Sequence, residues 1–333
     1  MPGSNKYILV TGGAGYIGSH VVRDLGEQGF SPVVFDNLST GNRGHVLCGD
    51  FIKGDIGDTR LLTEVIAKYG IKNVIHFAAS IVVEESVQNP LKYYENNAIN
   101  SIRLVKTCLQ NGVQNFVFSS TAAVYGIPEQ VPVKEDAPLK PINPYGRSKR
   151  IIEMVLEDVA RVSPGFHYIA LRYFNVAGAD RGGRIGQKYR QPTHLLTRAL
   201  RTALGQYPEL SIFGTDYPTP DGTAIRDYIH VDDLSAAHLL CLDYLQRHKQ
   251  SRIFNCGYGR GNSVTEVVQA VKRITGVDFK TVLDARRPGD PPALIADAQC
   301  ILQALHWRPR YDDLDYIIQT AWEWEKKLVE EKR

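Results

Sequence analysis

Short apolar runs alternate with longer stretches of helical periodicity through the first half of this chain. That alternation is the pattern of βαβ units wound about a parallel sheet. Tyr7-Ile8-Leu9-Val10 and Pro32-Val33-Val34-Phe35 read as the first two strands, with a short one expected before Asp55. Asn73-Val74-Ile75-His76-Phe77, Asn115-Phe116-Val117-Phe118 and Tyr168-Ile169-Ala170-Leu171-Arg172 continue the series. Helices are predicted near 15–28, 58–69, 89–111 and 143–162. His76 and Cys108 fall inside apolar elements and are expected to be core residues. After Gly178 the sequence turns to glycine, arginine, proline and tyrosine with irregular periodicity, until about Thr223. Such a region predicts a smaller lobe with long loops, where ligand contacts often sit. Ile225 to Leu245 returns to strand-then-helix character, and Arg252-Ile253-Phe254-Asn255 reads as a further strand. The tail from 262 to 325 reads as mostly helical, broken at Pro288–Pro292, and no internal repeat stands out. The expected fold class is α/β: a doubly wound parallel sheet with a smaller, mixed α/β C-terminal lobe.

Composition adds boundaries rather than detail. At 333 residues the chain can hold one large core or two joined lobes. Its 43% hydrophobic and 23% charged residues are those of an ordinary globular protein. The net charge of +3, without long basic runs, speaks against a nucleic-acid or membrane surface. Cys48, Cys108, Cys241, Cys256 and Cys300 are dispersed, odd in number and free of Cys-x-x-Cys spacing. That argues against a disulfide framework and a metal site, and for a reducing compartment. The chain passes from Met1-Pro2-Gly3-Ser4 almost at once into an apolar strand, leaving no room for a signal peptide. No apolar stretch approaches the ~20 residues a membrane span needs. A soluble cytoplasmic protein is expected.

Candidate chemistry begins with Thr11-Gly12-Gly13-Ala14-Gly15-Tyr16-Ile17-Gly18, which follows the first strand and opens a helix. Gly12, Gly15 and Gly18 let the backbone turn sharply and approach a pyrophosphate at the helix's positive end. A glycine-rich turn alone is a weak signal; strand, turn and helix in this order strengthen it. Asp36 then ends the second strand, 18 residues after Gly18. A carboxylate there accepts hydrogen bonds from an adenosine ribose and repels a 2′-phosphate, so NAD is expected rather than NADP. The plainer reading of Asp36, a turn residue before Asn37, is outweighed by the glycines upstream.

Tyr145 and Lys149 stand four residues apart, which places both on one helical face. A protonated lysine there can stabilise a tyrosinate, making the phenol a base near neutral pH. Bringing a phenol from pKa ~10 to ~7 takes about 4 kcal/mol. A cation in a dehydrated site can supply it, and an oxidised nicotinamide would add a second one. With 17 tyrosines about one such pair is expected by chance, so context decides its meaning.

The glycine spacing, the first strand and Tyr145/Lys149 together resemble the extended short-chain dehydrogenase/reductase superfamily, which implies a Rossmann-type sheet. Asp55-Ile56, Phe77-Ala78-Ala79 and Asn96 extend the resemblance. By it, the NAD contacts are Gly12, Gly15, Tyr16, Ile17, Gly18, Asp36, Asn37, Asp55, Ile56, Phe77, Ala78, Ala79, Asn96, Ser119, Tyr145, Lys149, Tyr173 and Phe174. The fifth strand ends in Ser119-Ser120-Thr121-Ala122-Ala123, and the resemblance makes Thr121 the hydroxyl that meets the reacting sugar oxygen. Sugar-nucleotide dehydratases of the superfamily follow this threonine with Asp-Glu. Ala122 and Ala123 stand there instead, so no acid–base pair for elimination is available at that spot.

The second half carries Arg172-Tyr173-Phe174-Asn175, Phe213-Gly214-x-Asp216, Asp221-Gly222-Thr223, Arg226-Asp227-Tyr228-Ile229-His230-Val231 and Arg286-Arg287-Pro288-Gly289-Asp290. These look closely like UDP-glucose (UDP-galactose) 4-epimerases, over residues 6 to about 325. The resemblance implies catalysis by Tyr145, Lys149 and Thr121. It implies substrate contacts from Thr121, Tyr145, Asn175, His194, Leu195, Phe213, Arg226, Arg287, Asp290 and Leu294. Two arginines can clamp a diphosphate by bidentate, charge-assisted hydrogen bonds, and an aspartate can accept from ribose hydroxyls. Residues 1–175, with 225–260 returning to them, would form the NAD-binding lobe, and 176–224 with 261–333 the UDP-sugar lobe. Three positions depart from some members of that family: Ile81 stands where some have a lysine beside the cofactor, His194 where some have an asparagine, and Leu294 where some have tyrosine and others a small residue. Leucine is intermediate in size, which leaves UDP-N-acetylhexosamines and UDP-pentoses open beside the leading glucose/galactose pair. Another sugar-nucleotide dehydratase or decarboxylase is the nearest rival, and a regulator without turnover a rival of another class. The helices near 89–111 and 143–162 could pack across a homodimer, as in many relatives.

Overall fold

The computed structural model describes residues 6–287 and 289–331. Met1–Ser4 and Pro288, used above, lie outside the described residues. The described residues form a seven-stranded, all-parallel sheet: β1 (Tyr7–Thr11), β2 (Ser31–Asp36), β3 (Asp50–Lys53), β4 (Asn73–His76), β5 (Asn115–Ser119), β6 (His167–Tyr173) and β11 (Arg252–Cys256). Their order is β3-β2-β1-β4-β5-β6-β11, so the winding direction reverses between β1 and β4. A crevice opens at such a reversal, beyond the carboxyl ends of the strands, because the two connecting segments diverge there.

The apolar runs become strands because both faces of the sheet are covered. Ile8 and Val10 point to one face, into a core with Val21, Val22 and Leu25 of α1 (Tyr16–Glu27) and Leu234 and Leu242 of α8 (Val231–His248). Leu9, between them, points to the other face and meets α2 (Thr59–Tyr69), α5 (Asn100–Gln110) and α6 (Pro144–Val162) through Leu62, Leu104 and Ile152. Successive side chains of a strand leave on opposite faces, so a strand buried on both reads as one continuous apolar run. His76 and Cys108 are core residues; His76 bridges Thr11 Oγ1 (2.6 Å) and Ser101 Oγ (2.8 Å).

The single helix expected over 89–111 is three pieces. After α3 (Val83–Gln88) come α4 (Pro90–Tyr93), a π-helical turn over Tyr94–Ile99, and α5. The turn's Asn97 both accepts from the backbone N–H of Ser80 (2.8 Å) and donates to its carbonyl (2.9 Å). A wider turn thereby ties this helix to the loop after β4, in keeping with the use of π-turns at functional sites.

A smaller lobe gathers β7 (Asn175–Ala177) with β10 (Tyr228–His230), β8 (Leu210–Phe213) with β13 (Thr281–Asp284), and β9 (Ile225–Arg226) between β12 (Asn262–Ser263) and β14 (Ala293–Leu294). α7 (Leu195–Ala203), α9 (Val264–Thr275) and α11 (Leu314–Glu330) enclose its core through Leu200, Val267, Val271 and Ile318. The short α10 (Gln299–Ala304) packs on the large sheet's side through Ile301. β8 and β13 lie in stretches that the sequence pattern marks as irregular or helical. Each is four residues long and gains its conformation by pairing with the other. Local periodicity does not carry such a long-range pairing.

Leu156 lies on α6, fully buried against Phe116 and Phe166. Leu156→Ala should lower unfolding stability by about 2–5 kcal/mol, measured as a reduced urea midpoint at unchanged slope.

Candidate active site

The chemistry-bearing residues meet where β5 ends and α6 begins. α6 starts at Pro144 because Asn143 caps it, its Oδ1 accepting from the Gly146 N–H at 2.8 Å. A side chain at 146 would bring Cβ to within 2.6 Å of the Ala123 carbonyl, so glycine lets the helix lie directly on the turn after β5. Tyr145, Lys149 and Glu153 follow at four-residue intervals on one face, and all three are buried. Thr121 opens the tight Ala122–Val124 turn; its Oγ1 accepts from the Ala123 N–H (3.1 Å) and the side chain hydrogen-bonds the Tyr145 phenol. Lys149 Nζ donates to the Ser119 carbonyl at 2.8 Å and lies 5.0 Å over the Phe118 ring. Ser119 Oγ in turn hydrogen-bonds the Tyr173 hydroxyl.

Burial governs the protonation of this group. It pushes the Tyr145 phenol above its ordinary value, against the hydrogen bond from Thr121. It draws the Lys149 ammonium down to about 7, against the anion of Glu153. The spacing alone suggests an ammonium holding a tyrosinate. In the protein the ammonium instead binds a backbone carbonyl, and loss of water outweighs the phenol's favourable contact. A further positive charge at the site would lower the phenol.

Beside this group lies a cleft of about 780 Å³ at the β1/β4 reversal. Gly12, Gly15, Tyr16, Ile17, Gly18, Asp36, Asn37, Asp55, Ile56, Phe77, Ala78, Ala79, Asn96, Tyr173 and His194 line it. Gly12 has φ +71, and a Cβ there would strike the Ala78 backbone nitrogen at 2.6 Å; the turn and the segment just after β4 thus pack in direct contact. No side chain caps the start of α1 and its first turn holds no acid, so its N–H groups are open to an anion. Asp36 accepts from the backbone N–H groups of Ala14 (3.0 Å) and Leu38 (2.8 Å), which leaves acceptor capacity for two hydroxyls. Asn37 donates to Asp55 (2.8 Å) along the same wall. The donors, acceptors and volume fit a dinucleotide.

The remaining site residues fall in two further places. Asn175, His194 and Leu195 line a small enclosed cavity of about 30 Å³ beside Tyr16. Phe213, Arg226, Arg287 and Asp290 form a separate cluster: Arg226 Nη2 donates to Asp290 Oδ1 (3.3 Å) and the Arg287 guanidinium stacks 3.8 Å over the Phe213 ring. Leu294 pairs in register with Arg226 and is buried with Phe174, Ala122 and Tyr125. Ser119, Thr121, Tyr145 and Lys149 are not part of the cleft's lining; they form a buried shelf joined to it by Tyr173.

The model of the NAD dependent epimerase/dehydratase family matches residues 8–257. The chain belongs to this family. It is 52% identical to a UDP-glucose 4-epimerase of Azospirillum brasilense, over 96% of this chain and 92% of that one. Its fold matches a UDP-glucose 4-epimerase from Brucella ovis in complex with NAD (TM-score 0.92, 48% identity, 95% of this chain and 97% of the other). It also matches a UDP-glucose 4-epimerase from Stenotrophomonas maltophila with bound NAD and formylated UDP-arabinopyranose (TM-score 0.94, 38% identity, 98% and 100%).

Two cleft residues of this family member lie beyond the reach of the sequence reading. Tyr189 stacks on His194 (6.0 Å, 18°), and its hydroxyl is raised to about 12 by burial and then by the charge of Tyr145. Lys188, beside it, lines the cleft and pairs with Glu331. The one local sign is an aromatic residue set between Lys188 and Arg190 in the irregular segment.

Because Asn143 sets the start of the helix that carries Tyr145, Asn143→Ala should reduce stability by about 1 kcal/mol. Chemical denaturation of the two proteins measures the difference.

Proposed function

We propose that this protein is an NAD-dependent UDP-glucose 4-epimerase, interconverting UDP-glucose and UDP-galactose by inverting carbon 4. The observation that carries this reading is the buried Thr121–Tyr145–Lys149 shelf at the end of β5, beside a cleft of about 780 Å³ whose donors and acceptors fit a dinucleotide. Full-length relatives of the same name, two of them holding NAD, support it. Asp36, with spare acceptor capacity, would hold the adenosine ribose, and the uncapped start of α1 the pyrophosphate.

When bound, NAD supplies a recycled hydride acceptor at carbon 4 and, oxidised, a positive charge near the phenol. Tyr145 takes the proton of the sugar's 4-hydroxyl and later returns one, with Thr121 steadying the phenol and the sugar oxygen. Lys149, cationic at neutral pH or below, would favour the tyrosinate and hydrogen-bond the nicotinamide ribose. Between the two half-reactions the 4-keto sugar must present its opposite face. A site suited to that grips the UDP and leaves the hexose free to turn. Arg226, Arg287, Asp290, Phe213 and Asn175 are the proposed grip, with His194 and Leu195 beside the sugar-phosphate and Leu294 beside the hexose. Ala122 and Ala123 offer no acid or base after Thr121, which speaks against dehydration.

We assign the nucleotide cofactor to the large-sheet lobe and the UDP-sugar to the smaller one. A homodimer is proposed from the exposed Ile99, Ile102 and Met154 on the neighbouring helical surfaces of the π-turn, α5 and α6. Five free cysteines, three of them buried, suit a cytoplasmic setting. Among the described residues no helix is long and apolar enough to cross a membrane.

Incubation with UDP-galactose should yield the 4-epimer without net release of NADH; accumulation of free NADH would overturn the reading. Tyr145→Phe should lower turnover by about 10²–10⁴-fold with UDP binding retained. Sedimentation should give twice the 37.2 kDa chain mass, and a monomer would refute the proposed dimer.

A further inference from the structure

Three consecutive residues at the end of β5 each hold one residue of the α6 stripe. The Ser119 carbonyl accepts from Lys149 Nζ (2.8 Å), Ser120 Oγ donates to Glu153 Oε1 (2.6 Å), and Thr121 hydrogen-bonds Tyr145. Glu153 is fully buried, and a buried carboxylate is tolerated only when paired and hydrogen-bonded. Arg172 of β6 supplies that pairing with both ends of its fork, Nε to Oε1 (2.9 Å) and Nη2 to Oε2 (2.8 Å). Arg150 adds a longer contact to Oε2 (3.3 Å). Arg172 is itself fixed by the Tyr125 hydroxyl (2.9 Å) and the Glu135 carbonyl (3.0 Å).

We propose that Glu153 is a positioning residue for the reaction: it pins α6 to the end of β5 and keeps Lys149 cationic. The inference rests on the epimerase reading, since the reaction needs a charged lysine beside the phenol. It uses a residue that the catalytic motif does not include. Several groups surround Lys149. α6 contributes Tyr145 and Glu153, with Arg150 beyond Glu153; β5 contributes the Ser119 carbonyl and the Phe118 ring. His76 of β4 is neutral, lowered to about 3 by burial and then by the charge of Lys149. From β6 come Arg172, behind Glu153, and the Tyr173 hydroxyl, behind Ser119. Among these groups Glu153 is the anion, and it opposes the loss of the ammonium proton that burial favours.

The test is Glu153→Gln, which keeps the shape and one acceptor oxygen, turns the other acceptor into a donor facing Arg172 or Ser120, and removes the charge. Lys149 is charged below its pKa, so a weakened cationic form loses its proton at lower pH. The alkaline limb of kcat should therefore move to lower pH by about one unit or more, with KM for UDP-galactose unchanged. Independently of turnover, lysine ¹³Cε resonances titrated by NMR, with Lys149 assigned through Lys149→Met, should show the same acid-ward movement. Glu153→Asp should restore the wild-type midpoint. Should Glu153→Gln fail to fold, Lys149 is titrated in Glu153→Gln/Arg172→Gln against Arg172→Gln, two proteins that differ only in the charge at position 153. An unchanged Lys149 titration in a folded charge-removing variant overturns the proposal. Absence of epimerisation by the wild-type protein overturns the functional reading instead, and the titration still decides the role of Glu153.

Discussion

A buried ammonium is the constraint around which this site is built. Lys149 is 3% exposed, and an ammonium deprived of water persists only where fixed dipoles and an anion replace its hydration. The Ser119 carbonyl, the Phe118 ring and Glu153 take that part. Each lies on a different piece of chain from at least one other, so the charge survives only while β5 and α6 keep their relative register. Glu153 brings the same difficulty with the opposite sign, and Arg172 resolves it from β6. A chain of compensated charges thus runs from Lys149, beside the Tyr145 phenol, into the large core. Rigidity at the shelf follows from it, because moving any one member would leave another unpaired.

The sheet supplies what the charges cannot, a place for a second ligand. Reversal of strand order between β1 and β4 opens the crevice, and direct contact of Gly12 with Ala78 closes its floor. The Thr121–Tyr145–Lys149 shelf is at the end of β5, the strand next to β4. A dinucleotide spanning the crevice from Asp36 would therefore have one end brought toward Tyr145. Topology fixes this proximity; it needs no special contact between the two halves of the site.

Much of this was legible in the chain because it depends on local order. Strand, glycine turn and helix occupy contiguous residues, as do Asn143, Pro144 and the Tyr145/Lys149 pair, and their spacing maps onto geometry without knowledge of the rest. Asp36 is legible for the same reason, standing at the end of an apolar run. What spacing could not convey was the sign of the Tyr145 and Lys149 pKa changes. Those depend on how much water the surrounding elements exclude, which is a property of the packed structure. The π-turn at Tyr94–Ile99 was hidden similarly, since its cause is the bond between Asn97 and Ser80 across the fold. Tyr189 lies in a segment without periodicity, where its place between two cations is the one local sign and its stacking on His194 leaves none. Glu153 has no local signature, because its partners Ser120 and Arg172 come from the end of β5 and from β6.

The proposed grip on UDP has a different character from the shelf. Arg226 is paired with Asp290 at a contact that is long for a charge-assisted hydrogen bond, and Arg287 rests on the face of Phe213. Both arginines thus already have partners, but exchangeable ones, compared with the double-ended Arg172–Glu153 pair. A diphosphate can exchange for such contacts at modest cost, whereas no ligand could profitably compete for Arg172. The buried, double-ended pair fixes the helix that carries Tyr145 and Lys149, and the looser, more accessible pairs are the ones a ligand could displace. That division suits a reaction in which the sugar must turn over a fixed base while its nucleotide stays in place.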